Sequence, residues 1–367
     1  MHERRLDDET DHAVVPSPVR ADVRSVALTG LFLLALLYTM YLARSFLLPV
    51  ATAVLFAFFF YPAVRRLKRW RIPEWLSATV IVLGLVSLLG WGGYRLMGPA
   101  AQWMARAPQV IGKVEQRLAR LRRPVEEVTR TAEKVGELAT VPKAPDDKAI
   151  KVEMKDTSLT DALFGGTSTL LGDAFVMFLL LYFLLASGDL FLMKVVRVLP
   201  SLTDKKRAVA IARETEDQVS EFLVVETAIN LAFGAVVGVS VWLCGMPNPV
   251  LWGVLAAATN YVPYIGGLVM NVVLGLAAFL QFDDLGKALL VAGLFFVLNT
   301  LEGNLVTPLV LGQRLTLNPV VVFLGVLFWG WMWGIVGTVL AVPILSVIKI
   351  VCDHVEGLGP IGEFLGP

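Results

Sequence analysis

The sequence predicts an all-α, polytopic membrane protein with about eight hydrophobic helical segments, two of them broken or re-entrant, and a further helical segment outside the membrane. Two observations predict this class. Hydrophobic residues make up 56% and charged residues only 17% of the 367 residues, whereas soluble domains carry about 25% charged residues. The charges also cluster, so that several uncharged runs reach the roughly 20 residues that a helix needs to cross a bilayer.

The N-terminal part predicts a cytoplasmic tail followed by three spans. Residues 1–24 are polar, and residues 25–96 contain three apolar runs. Because the first apolar run starts late and a second follows it closely, we expect a retained span and not a signal peptide. Five of the seven residues Arg65–Arg71 are basic. Under the positive-inside rule this loop and the N-terminus are expected in the cytoplasm, and counting eight simple crossings places the C-terminus there as well.

The longest segment outside the predicted spans is residues 97–161. Its apolar residues recur at spacings of three, four and seven between Pro108 and Leu138, which indicates an amphipathic helix. Counting spans puts this segment outside the cytoplasm, as an oligomerisation or lid element or as a helix pair lying on the membrane surface. The fourth span is predicted at residues 162–187. It contains Asp173, a secondary candidate for the functional site, because an acid inside a span is functional by default.

The transport core is predicted at residues 222–351, between a cytoplasmic helical hairpin at 188–221 and a cytoplasmic tail at 352–367. The core contains two long uncharged runs, Leu251–Phe282 and Leu315–Ile348, and the second is 34 residues long. A helix of that length would measure roughly 51 Å, against a hydrocarbon core of about 30 Å. Each run is therefore either a broken span or a re-entrant hairpin, and the sequence leaves both readings open.

Glycines and prolines mark where these runs can break, and one short repeat links them. In the second run the break points are Pro319, Gly325, Gly330, Gly334, Gly337 and Pro343. The triplet Asn-Pro-Val begins at Asn248 and again at Asn318, and a Val-Pro pair follows each triplet. This echo is a hint that the two runs are related elements.

The predicted functional site consists of polar residues beside the helix breaks, with Glu302 at its centre. Polar groups beside broken helices at membrane depth are how transporters build their sites. Glu302 would carry a coupling proton or cation or hydrogen-bond a polyhydroxylated solute; alternatively it locks helices together by bonding a neighbouring amide. The polar candidates are Asn260, Tyr261, Tyr264, Asn299, Glu302, Asn304, Thr307, Arg314 and Asn318, and the residues that permit the breaks are Pro263, Gly266, Pro308 and Gly312. The secondary candidates are Asp173 and Asn230.

Several function classes are excluded by the sequence. It contains no G-x-x-x-x-G-K-[ST] phosphate loop and neither an HExxH nor a CxxC motif. The three histidines have no metal-ligand spacing. We therefore expect no enzymatic activity, no cofactor and no metal. The formal net charge of +1 gives no indication of a nucleic-acid partner.

Three stretches resemble the AI-2E (autoinducer-2 exporter) family of PerM-like permeases: MPNPVLWGVLAAATNYVPYIGG, LEGNLVTPLVLGQRLTLNPVVV and WGIVGTVLAVPILSVIKIV. The resemblance implies a homo-oligomeric inner-membrane transporter that exports a small polar solute such as autoinducer-2. Other family members imply a monovalent cation (sodium)/proton antiporter as the alternative. A non-transporting membrane scaffold, in which the extramembrane helices do the work, is a further alternative.

Overall fold

A computed structural model describes residues 23–136, 159–188, 190–282, 284–311, 317–355 and 357–366. Within these ranges every regular element is helical, which confirms the all-α class. The helices are α1 (Val23–Leu42), α2 (Arg44–Arg69), α3 (Glu74–Gly136), α4 (Leu159–Ser187), α5 (Leu190–Val198), α6 (Leu202–Leu243), α7 (Pro249–Thr259), α8 (Ile265–Phe282), α9 (Leu285–Leu301), α10 (Thr307–Leu311), α11 (Pro319–His354) and α12 (Gly359–Leu365). A π-helical segment, Glu302–Val306, joins α9 to α10.

Six helices of the described part are long and apolar enough to cross a membrane, or seven if the bent pair formed by α4 and α5 counts as one crossing. Two further apolar stretches are shorter, Ala27–Leu42 within α1 and Pro249–Thr259, which is α7. The predicted number of about eight segments is therefore not confirmed as a count of crossings. Helix α1 belongs to a separate compact unit, Met1–Arg44, and the helices that follow it form the second unit, Ser45–Pro367.

Two long helices join regions that the sequence assigned to different segments. Helix α3 is 63 residues long and continues without a break from the predicted third span into the amphipathic region. Helix α6 is 42 residues long and begins inside the basic block predicted as a cytoplasmic hairpin. It starts at the N-cap Ser201, whose side-chain oxygen accepts a hydrogen bond from the N–H of Asp204. The polar part of α6 is thus continuous with its membrane part.

The two ends of the helix bundle can be told apart by charge. At the end of α2, Arg65 forms ion pairs with Glu216 and Asp217 of α6 at 2.6 and 3.6 Å. We call this the basic end. The opposite end lies at the C-terminus of α6, where Leu243 is followed by the turn that leads into α7.

The first long apolar run folds as a re-entrant hairpin made of α7 and α8. Helix α7 runs back along α6, with Gly253 in close contact with Gly234. Helix α8 then returns, so that the ring of Phe282 lies beside Gly245 at the opposite end of the bundle. Helix α7 has 11 residues, or about 16 Å of helix, which is too short to cross a hydrocarbon core of about 30 Å.

The sharp turn at the tip of this hairpin follows from its residues. Pro263 supplies no backbone N–H, and Tyr264 has a left-handed backbone with φ of 63°. Gly266 contacts the carbonyl oxygen of Thr259 so closely that a side chain would overlap it. The break predicted around Pro263 is therefore confirmed, and it reverses the chain direction.

The second long apolar run, α11, is also a hairpin and not a broken span. Gly334 breaks the helical backbone with φ of 68° and ψ of −149°. Past this point the chain runs back, so that Gly325 contacts Leu345 and Gly337 contacts the carbonyl oxygen of Trp329. In a straight helix, Gly325 and Leu345 would lie about 30 Å apart.

Both ends of α11 lie at the basic end of the bundle. The N–H of Asn318, just before α11, donates to the carbonyl oxygen of Leu365 in α12 at 3.0 Å. His354, at the end of α11, lies 3.1 Å from the carboxylate of Glu214 in α6. The two hairpins therefore enter from opposite ends of α6. Each begins at an Asn-Pro pair, Asn248-Pro249 or Asn318-Pro319, where the sequence echo was noted.

Candidate functional site

The tip of the α7–α8 hairpin is held against the middle of α6 by two side-chain hydrogen bonds. The Nδ2 of Asn260 donates to the Oδ1 of Asn230 at 2.7 Å. The hydroxyl of Tyr261 donates to the Oγ1 of Thr227 at 2.8 Å. Asn230 is fully buried, and a buried amide in a membrane helix needs such partners. The predicted residues Asn230, Asn260 and Tyr261 thus come together in one place.

Glu226 lies one helical turn from Asn230 and faces the same contact. The Nδ2 of Asn230 lies 3.5 Å from the Oε1 of Glu226, at the limit of a hydrogen bond. Across the contact, the carboxyl group of Glu302 is close enough to repel that of Glu226. The helical spacing of four residues puts Glu226 and Asn230 on one face of α6. Two acids, one on α6 and one after α9, therefore converge beside the hairpin tip.

Glu302 is the first residue of the π-helical segment. Its Oε1 accepts a hydrogen bond of 2.6 Å from the Oγ1 of Thr307, and its backbone carbonyl accepts the N–H of Thr307. Pro308 follows and has no N–H to offer the carbonyl of Asn304, which an α-helix would require. Single π turns inside α-helices occur often at functional sites. The predicted break at this position is thus a local widening of a helix that continues to Leu311.

Asn299 lies one turn before Glu302 and packs against the hairpin. Its carboxamide occupies the space that a side chain at Gly267 would need, with the Nδ2 2.7 Å from the position of a Cβ atom. Tyr264, at the hairpin tip, makes an edge-to-face contact of 6.2 Å with Phe323 in the first arm of α11. The two hairpins therefore touch at Tyr264.

Other predicted residues have local roles. Asn304 donates from its Nδ2 to the carbonyl of Thr300, within its own helix. Asn318 caps α11 by accepting the N–H of Val320 at 2.9 Å, while Pro263 and Gly266 shape the hairpin turn. Asp173 lies on α4, which packs against α3. Gly312 and Arg314 lie outside the described residues.

Sequence reasoning missed Glu226 and its neighbour Thr227. Glu226 lies only five residues after Glu221, where the polar block ends. It could therefore be taken for a residue at the end of a span and not inside one. One signal could have identified it: Glu226 precedes the candidate Asn230 by four residues, after the apolar stretch 222–225. That spacing predicts one shared helix face.

The arrangement suits the binding of a proton, a monovalent cation or a neutral polar solute. Two carboxyl groups, three amides and three hydroxyls lie at or near the hairpin tip. Within the described residues, no group of three His, Cys, Asp or Glu side chains could hold a metal ion. If Glu302 had a purely structural role, its hydrogen bond with Thr307 would be enough to explain it. That role does not explain why Glu302 also interacts with a second acid, Glu226.

Comparison with known proteins relates the chain to transport proteins. A family model described as "AI-2E family transporter" matches residues 31–357. The AI-2 transport protein TqsA of Escherichia coli (strain K12) is 29% identical over 325 residues, which cover 86% of this chain and 88% of TqsA. The putative transport protein YhhT of the same strain is 38% identical over 149 residues, 41% of this chain and 42% of YhhT. A putative transport protein of Haemophilus influenzae is 26% identical over 332 residues, 89% of this chain and 91% of the relative.

Proposed function

Since the chain belongs to the AI-2E family of transporters, we propose that it is a secondary transporter that exports a small polar solute across the bacterial inner membrane. Its movement would be coupled to a proton or a sodium ion. One observation carries this proposal. Glu226 and Glu302 approach each other beside the tip of a re-entrant hairpin, where polar groups are costly and are retained for a purpose.

The acid pair supports ion coupling through simple electrostatics. Two carboxylates in apolar surroundings repel each other strongly, because the low dielectric constant does not screen them. A proton or a monovalent cation bound between Glu226 and Glu302 removes this repulsion. Binding or release of the ion would then change how firmly α6 holds the segment after α9, which is the kind of differential interaction that shifts a conformational equilibrium.

The neutral groups around the acids support a polar, hydroxyl-rich solute. Asn230, Asn260 and Asn299 offer both donors and acceptors, and Tyr261 and Thr227 offer hydroxyls. A polyhydroxylated molecule can exchange hydrogen bonds with such a set. Autoinducer-2 is the first solute to test, because the relative TqsA is an AI-2 transport protein.

The test is transport in proteoliposomes that contain the purified protein. Autoinducer-2 accumulation is measured under an imposed pH gradient or sodium gradient, for the wild type, Glu226→Gln and Glu302→Gln. Both variants should lose gradient-driven accumulation. Glu363→Gln is the matched control, since it removes an exposed carboxylate of α12 outside the site. Wild-type flux and gradient dependence in a folded Glu302→Gln protein would remove Glu302 from the mechanism.

A monovalent cation (sodium)/proton antiporter is the second candidate function, and the acid pair favours it. An antiporter needs a site where the two ions compete, and the interacting carboxyl groups of Glu226 and Glu302 would provide one. Sodium pulses applied to vesicles that contain a pH-sensitive dye distinguish the candidates. An antiporter changes internal pH without any organic solute, whereas the proposed exporter requires one.

Topology and assembly complete the proposal. The basic end, with Arg65 and Lys68, would face the cytoplasm under the positive-inside rule. His354 lies at the same end as Glu214, so the C-terminal tail would be cytoplasmic as well. We also expect a homo-oligomer embedded in the lipid bilayer, which light scattering of the purified protein would test.

A further inference from the structure

A cleft of about 520 Å³ opens between α2 and α6 at the basic end of the bundle. The guanidinium groups of Arg65, Arg66 and Arg69 line it on the α2 side. The α6 side contributes Glu216, Asp217, Ser220, Glu221 and the apolar Val224 and Val225. Charged residues thus occupy one part of the cleft, and apolar residues occupy the part that leads towards the membrane. The polar and apolar parts of the cleft are therefore arranged in the same order as the headgroup and acyl chains of a lipid.

Two of the arginines are available to a ligand. Arg65 is engaged with Glu216 at 2.6 Å, and Lys68 is paired with Glu74. Among the described residues, no carboxylate lies within ion-pair distance of Arg66 or Arg69. Two adjacent guanidinium groups without acidic partners suit a phosphate group, because each can donate two parallel hydrogen bonds to its oxygens.

Ser220 also points to a ligand. It is only 5% exposed, and within the described part of the chain its Oγ has no hydrogen-bond partner. It lines the cleft beside Asp217. Buried hydroxyls in proteins are nearly always hydrogen-bonded, so this group is expected to be satisfied by something that enters the cleft. A phosphate or glycerol oxygen would serve.

The charge balance of the lining selects the type of headgroup. Three arginines are matched by Glu216, Asp217 and Glu221, so the cleft has no large net positive charge. Among the described residues, Asp217 is held only by a long contact of 3.6 Å to Arg65, and its side chain is 71% exposed. A ligand with both a phosphate and a primary ammonium group would satisfy both kinds of residue. A purely anionic headgroup would leave Asp217 without a counter-charge.

We propose that this cleft binds a phospholipid of the phosphatidylethanolamine type. The phosphate contacts Arg66 and Arg69, the ammonium group contacts Asp217, and the first acyl carbons lie against Val224. The apolar wall distinguishes a lipid from a free phosphoethanolamine, which has nothing to place there. Residues 224 and 226 lie about 200° apart around the axis of α6, so this cleft is on a different face from Glu226. Lipid binding is therefore independent of the transported solute.

The experiment is native mass spectrometry of the delipidated protein, titrated with three lipids of equal chain length. Phosphatidylethanolamine should bind about tenfold more tightly than phosphatidylcholine, whose methylated ammonium cannot donate hydrogen bonds. The double variant Arg66→Gln/Arg69→Gln should weaken all three lipids by about tenfold or more, because each binds through its phosphate. Asp217→Asn should remove the preference for ethanolamine over choline. Phosphatidylglycerol serves as the anionic lipid.

Two further variants keep the proposal falsifiable. Arg71→Gln removes one guanidinium group just after the end of α2, outside the cleft, and should bind lipid like the wild type. Val224→Trp fills the apolar part without changing charge and should block binding, with size-exclusion elution as the check on folding. Unchanged binding in the double arginine variant or in Val224→Trp overturns the proposal. Equal or tighter binding of phosphatidylglycerol, or displacement by soluble phosphoethanolamine at equal concentration, overturns it as well.

Discussion

Glu226 on α6 and Glu302 in the π-helical segment after α9 lie close enough for their carboxyl groups to repel each other. They are 76 residues apart in the chain and meet only because the α7–α8 hairpin, α6 and α9 share one contact region. Neither acid has a basic partner among the described contacts, so a proton or cation bound here would reduce their repulsion. This pair is the physical core of the proposed coupling mechanism.

The first prediction is that the two acids act as a unit. Glu226→Gln and Glu302→Gln should each lower gradient-driven solute flux by about tenfold or more, because either change removes the shared ion site. The double variant should be no worse than the single ones. Initial rates in proteoliposomes measure this. Losses that multiply in the double variant would show that the acids act separately.

The second prediction concerns the bond that holds the hairpin tip to α6. Asn260→Ala leaves the buried Asn230 without its partner, so the free energy of unfolding should fall by about 1–3 kcal/mol. A thermal unfolding curve in detergent gives the change. Asn230→Ala/Asn260→Ala should lose less than the sum of the single changes, because both remove the same 2.7 Å bond. Additive losses would mean that the bond contributes little.

Tyr261→Phe provides a comparison at the same tip. It removes the 2.8 Å hydrogen bond to Thr227 but keeps the ring. Because Thr227 also donates to the carbonyl of Leu223, its hydroxyl keeps a partner, and the loss should be about 0.5–1.5 kcal/mol. If Tyr261→Phe lowered the free energy of unfolding more than Asn260→Ala does, the Tyr261–Thr227 bond would be the more stabilising of the two.

The positions of the helix breaks could be predicted from local sequence, but the path of the chain after each break could not, because it depends on tertiary contacts. The length of the runs excluded single straight crossings, and Pro263 and Gly266 located the first turn. The sequence could not show whether the chain continues or reverses after a break, since that depends on contacts such as Gly325 with Leu345. Of the six break points predicted in the second run, only Gly334 makes the turn. Gly325, Gly330 and Gly337 instead allow the two arms to approach closely.

The candidate site, too, could be predicted from the sequence only in part. Glu302 could be predicted as an isolated acid in apolar sequence, but Glu226 could not be assigned to it. Glu226 follows a polar block, and only the continuity of α6 from Leu202 shows that this residue points into the helix contact. The pairing of Asn230 with Asn260, 30 residues away, is likewise a tertiary contact that helical periodicity does not encode.

The third prediction is that Gly267→Ala disables the site with little loss of fold. The added methyl group would lie about 2.7 Å from the carboxamide of Asn299, which must move away. Because a side-chain end can shift, the protein should still fold and elute as the wild type. Solute flux should fall several-fold as Asn299 leaves its place. Unchanged flux would remove Asn299 from the set of solute-binding residues.

The fourth prediction tests the backbone of the second hairpin. Gly334 has φ of 68° and ψ of −149°, a region that residues with a Cβ atom essentially never adopt. Gly334→Ala should therefore destabilise the protein by about 1–3 kcal/mol, although no atom obstructs the added methyl group. Gly293→Ala is the matched control, because Gly293 lies inside α9 with equally open surroundings. It should be neutral or stabilising by up to about 1 kcal/mol, and equal losses in both variants would contradict the turn.

The last prediction tests the reversal of α11 directly. The free cysteines Cys244 and Cys352 are first replaced by Ala, and the pair Gly325→Cys/Leu345→Cys is then introduced. Because these positions are in contact across the two arms, mild oxidation in membranes should form a disulfide within one chain. The control pair Gly325→Cys/Ile335→Cys joins the first arm to the turn and should not react, since a helix places these residues about 15 Å apart and a disulfide requires Cα atoms within about 7 Å. Mass spectrometry of the proteolysed protein identifies the linked peptides. A straight α11 would leave both pairs reduced, and the re-entrant hairpin would then have to be abandoned.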